Sequence, residues 1–105
     1  MLAQIYYMLK EKLSTKVKEI ILNSLQKRIL EPMRLQLLND SFIIKKHYWT
    51  RTDNNWNVVC WTNVAFVALT IIEDLDERDI FIRQAFQNTQ LFLNNILKDG
   101  YFNEG

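Results

Sequence analysis

The residues best placed to do chemistry stand together in the run Asp53-Asn54-Asn55-Trp56-Asn57. Where such a run opens a helix, one asparagine serves as the cap by accepting from a free backbone N–H. A cap uses one side chain, and here three of five positions are asparagine. A neutral amide donor at a helix N-terminus, where partial positive charge gathers, suits an anion such as a carboxylate. Just upstream, Lys45-Lys46-His47-Tyr48-Trp49-Thr50-Arg51 interleaves cations with aromatics. His47, Trp49 and Arg51 suit an anionic sugar, gripped by charge and stacked on a ring. The same run also reads as a purely structural loop. Single-stranded nucleic acid is a remote third reading, because the run is short and the chain nearly neutral.

No other residue set completes a catalytic site. His47 is the only histidine, so a paired-histidine centre cannot be built from this chain. Cys60 is the only cysteine, which excludes an internal disulfide and a zinc cluster. It lies in an apolar stretch with no basic residue within one turn, so it is expected to be a buried packing cysteine with no lowered thiol pKa. Glu73, Asp74, Asp76, Glu77 and Asp79 lack the glycine-centred oxygen spacing of a calcium loop. They read as a solvated turn whose acids favour a helix N-terminus, and neither a metal nor a cofactor is expected.

Helices must position these residues. The chain has 105 residues, 49% hydrophobic, with only two glycines and one proline. That length allows one domain with a modest core, and the scarcity of turn residues opposes an all-β fold. Thirteen Lys and Arg against twelve Asp and Glu leave a charge of +1, too little for a broad field toward nucleic acid or an anionic membrane. Residues 2–13 carry Leu2, Ile5, Tyr6, Leu9 and Leu13 at helical spacing. Ser14 is the expected N-cap of a second helix over 15–38, broken near Pro32. Its stripe of Val17, Ile20, Ile21, Leu25 and Ile29 includes one charged residue, Arg28. Residues 39–53 read as a loop carrying the aromatic and basic side chains.

A third helix over 56–73 is apolar around nearly its whole circumference, as befits burial within a larger protein. A fourth over 77–98 is amphipathic through Ile80, Phe81, Ala85, Phe86 and Ile96, and Asp99-Gly100 is expected to close it. The predicted architecture is all-α, a stack of antiparallel helical hairpins. No signal peptide and no membrane span are read in the chain.

The run from Trp49 to Cys60, followed by Ala68-Leu69 and Glu73-Asp74, resembles the heparinase II/III-like polysaccharide lyases. More closely, it is similar to a bacterial subgroup with an Asn-Asn-Trp-Asn-x-Val-Cys signature. The segment Lys98-Asp99-Gly100-Tyr101-Phe102-Asn103-Glu104-Gly105 resembles the family's Asp-Gly-x-x-x-Glu-Gly segment. Arg28-Ile29-Leu30-Glu31-Pro32 fits the helix preceding the motif, so the resemblance spans essentially the whole chain.

The resemblance implies part of an (α/α) toroid and β-elimination on uronic-acid glycans, such as glycosaminoglycan or alginate. In that chemistry an amide, often beside a histidine, neutralises the uronate carboxylate. The proton on the neighbouring carbon then becomes removable, and a tyrosine with a histidine transfers it. By motif, Asn55 is the carboxylate-holding amide and Asn54 its nearest competitor. Trp56 stands where several relatives have histidine, and is expected to pack or to stack against a sugar face. The sequence ends at Gly105, before the family's tyrosine segment. The expectation is therefore a lyase fragment that contributes part of the cleft and does not turn over alone. Its partners would be an acidic polysaccharide or oligosaccharide and a second copy meeting exposed helix faces, with no nucleic acid and no membrane. Full-length relatives are often periplasmic or secreted, which leaves the compartment open. The alternative is a non-catalytic helical interaction module or a degenerate lyase remnant.

Overall fold

Every regular element of the protein, seen in a computed structural model that describes residues 1–38, 55–96 and 100–101, is helical. The elements are α1 (Leu2–Leu9), α2 (Thr15–Leu25), a π-helical turn (Gln26–Leu30), α3 (Glu31–Leu38), α4 (Asn55–Ile71) and α5 (Leu75–Asn94). Among the described residues there is no strand, so the chain is all-α. Residues 39–54, with His47, Trp49, Arg51 and Asn54, lie outside the described residues. So do residues 97–99 and 102–105, which hold most of the Asp-Gly-x-x-x-Glu-Gly segment.

Local chemistry sets the helix limits. Ser14 caps α2, its Oγ accepting from the Val17 N–H at 3.3 Å. The first helix stops at Leu9, short of the expected Leu13, and Lys12 N–H closes a turn on the Leu9 carbonyl at 2.8 Å. Proline 32 does not end its helix. The backbone widens into the π turn just before it, with the Glu31 N–H donating back to the Gln26 carbonyl. A proline ring clashes with the carbonyl four residues earlier, here that of Arg28, and the wider turn accommodates the ring without breaking the helix.

The turn between α4 and α5 is held from both sides. Asp74, rather than a residue near Asp76, caps α5: its Oδ1 accepts from the Glu77 N–H at 2.8 Å. Arg78 reaches back and donates to the Ile72 carbonyl at 2.9 and 2.5 Å, placing a cation at the carbonyl end of α4. Glu77 also pairs with Arg34, tying α3 to α5. At the far end, α5 stops at Asn94, and the Asn95 side chain donates to the Leu91 carbonyl at 2.8 Å. Gly100 does adopt φ +83°, but it lies beyond the helix end and does not cap it.

The core gathers around α4. Trp61, Val64, Val67 and Ala68 are buried on it, and α5 answers with Phe81 and Ala85. Among the described residues, contact between α4 and α5 is the most extensive, while α1 and the π turn also touch α4. Leu25, Leu30 and Met33 complete the interior from the α2–α3 side. On α5 the amphipathic face is narrower than its sequence suggests, since Ile80 and Phe86 are exposed while Asn88 is buried. Phe81 is 1% exposed and Phe86 64%. Phe81→Ala should therefore lower the unfolding free energy by about 3–5 kcal/mol. Phe86→Ala should stay within about 0.5 kcal/mol. Urea titration of the two variants checks the contrast.

Candidate functional site

The start of α4 divides the asparagine run by helical rotation, since successive residues point about 100° apart. Asn55 is the first residue of α4 and is half-buried. Trp56, next along, is 56% exposed. Asn57 is 0% exposed and lies one turn before the buried Trp61 on the interior face. Of these three, Asn55 and Trp56 are available to a ligand at the surface and Asn57 serves the interior.

The Asn55 side chain has the clearest unmet chemistry. Its Oδ1 is buried and has no hydrogen-bond partner among the described residues. An acceptor left so is costly, on the order of 1–3 kcal/mol, unless a donor reaches it. With the oxygen turned inward, the amide's own N–H pair is the part that can turn to a carboxylate. The position at the N-terminus of a helix of 17 residues adds the partial positive charge of the helix dipole. The neighbouring Trp56 ring offers an apolar face of the kind on which sugars stack. Among the described residues, then, the structure brings Asn55 and Trp56 together at one helix end.

Other candidate chemistry is displaced or absent from the described residues. Among them no three His, Cys, Asp or Glu side chains converge in a way that could hold a metal ion. Cys60 is not a fully buried packing residue: it is partly exposed and lines a cavity beside the middle of α4. The misjudgement has a physical reason, because an all-round apolar helix does not reveal which of its faces lacks a neighbour. That cavity also takes in Arg28 and Asn63, which sequence reasoning left without a role. The one signal was a charged residue in the apolar stripe expected over residues 15–38.

Comparison with family models, with curated proteins and with solved structures finds no match. The chemistry at the start of α4 is therefore read from its own geometry.

Desolvation by burial raises the Cys60 thiol pKa above its ordinary value. The fold thus favours the neutral thiol. This contribution is complete below the unfolded-state pKa and is lost as pH rises through the higher folded value. Alkylation by iodoacetamide at mildly alkaline pH should accordingly be slower in the folded chain than in the urea-unfolded one. An equal or faster folded-state rate would show that the thiol is not protected.

Proposed function

We propose that this chain forms part of the substrate cleft of a polysaccharide lyase acting on uronic-acid glycans by β-elimination. In this reading Asn55 holds the uronate carboxylate, Trp56 stacks against a sugar ring, and Asn54, Arg51, Trp49 and His47 are further substrate-binding residues. The observation that carries it is the buried Oδ1 of Asn55, unpartnered among the described residues, beside the half-exposed Trp56 at the start of α4. The family resemblance of the motif points the same way. The short connection between α4 and α5, residues 72–74, suits the antiparallel helical hairpins from which an (α/α) toroid is built.

The chemistry assigned to this chain is electrostatic. Neutralising the carboxylate stabilises the enediolate that develops when the neighbouring proton leaves. Proton transfer itself falls to a tyrosine and a histidine partner, and no tyrosine of this chain is matched to that role. Uronate oligosaccharides from alginate and from heparin provide the test, with binding followed by calorimetry. Asn55→Ala should weaken binding roughly tenfold or more, as expected for a lost hydrogen bond to a charged group. Cys60→Ala should leave it unchanged. Absence of binding to the unaltered chain, or equal binding by Asn55→Ala, would refute the reading. An absorbance assay for the unsaturated product should show no turnover by these 105 residues alone.

A second reading, a helical interaction module, is favoured by apolar side chains left open on α4. Val59 is 51% and Leu69 52% exposed. Such side chains on a central helix are suited to a second copy or a neighbouring helix. Self-association through this face should appear in light scattering as mass rising with concentration, and should fall away in Val59→Lys/Leu69→Lys. A constant monomer mass at high concentration would count against it.

A further inference from the structure

A second feature, separate from Asn55 and Trp56, is the cavity of about 300 Å³ between α1, the end of α2 with its π turn, and the middle of α4. Its interior is apolar, with Leu25, Met33, Val64 and Val67 all buried. At its edge stand Arg28 and Asn63, both exposed, and the partly exposed Cys60. Arg28 is the only charged side chain among the lining residues, and among the described residues no carboxylate pairs with it. The Asn63 Nδ2 donates to the Val59 carbonyl at 2.8 Å and keeps its second N–H for another acceptor.

Small-molecule sites combine such apolar walls with a few polar groups that orient the ligand. The π turn that carries Arg28 is the kind of helix irregularity that often accompanies a binding site. We propose that this cavity is a binding site for a medium-chain aliphatic carboxylate, its chain lying between α2 and α4 and its carboxylate held by Arg28 and Asn63. The size stands at the small end of the range for ligand pockets, which suits a single short acyl chain rather than a lipid with two. A neutral or cationic head would leave the Arg28 guanidinium without an anion, so the carboxylate defines the class.

Cys60 supplies the readout, because it is the only cysteine of the chain and lines the cavity. The rate of its alkylation by N-ethylmaleimide is followed against octanoate, kept below its aggregation concentration, and against octanol. Octanoate should slow the reaction in a saturable way. Arg28→Gln, a change at an exposed position, should raise the half-protecting octanoate concentration about tenfold while leaving octanol protection as it was. Circular dichroism establishes that the variant keeps its helices. No protection by octanoate in the unaltered chain overturns the proposal, and so does equal protection in Arg28→Gln or equal protection by octylammonium.

Discussion

The burial of α4 on two sides at once is the constraint on which the rest of the structure depends. One face, through Trp61 and Ala68, belongs to the interior that α5 closes with Phe81 and Ala85. Another meets α1 and the π turn, where Val64 and Val67 are buried and the cavity opens beside Cys60. Apolar area removed from water is the main favourable term in a domain this small, at roughly 25 cal/mol per Å². Without α4 the α2–α3 segment and α5 would have little against which to bury their own apolar residues. Polar links then set the geometry: Asp74 and Arg78 fix the turn, and Arg34 with Glu77 joins α3 to α5. The last pair is partly exposed and contributes about 1 kcal/mol or less, so it orients more than it stabilises.

Functional chemistry is distributed along the same helix according to which faces are left over. At its first turn the 100° step between residues sends Asn57 inward and Trp56 outward, and Asn55 is intermediate in exposure. A motif that is continuous in sequence thus becomes a core residue and a surface pair. Midway along, Cys60 and Asn63 flank the apolar residues Val64 and Val67. There the wall is completed by Arg28 from a turn that exists because Pro32 follows it. The two sites differ in kind: a helix terminus with an unsatisfied acceptor, and an apolar hollow with a cation at its edge.

Much of the helical framework was legible beforehand because its signals are local. Ser14 as a cap, the turn acids before α5 and the hydrophobic spacing of α1 and α2 all act within a few residues. Less legible were the events that depend on partners. Proline in a helix was expected to stop or kink it, yet the backbone widens by a π turn and continues. Gly100 has the positive φ expected of a cap, but Asn95 has already sealed α5. Cys60 looked interior because its helix is largely apolar and Val59 and Trp61 adjoin it, while burial depends on what packs outside that helix.

By itself the sequence determined an all-α chain of near-neutral charge, with a cluster of amides at the start of a helix apolar around nearly its whole circumference. Those properties follow from composition, periodicity and short-range capping, which need no distant contact. Only the tertiary structure decided that Asn57 is interior, that the Asn55 oxygen is buried with no partner among the described residues, and that Arg28 and Cys60 share a cavity. Arg28 and Cys60 are far apart in sequence, and their proximity depends on how α2 and the π turn pack across α4. Helical periodicity records that an apolar face exists; packing alone selects what covers it and what is left open.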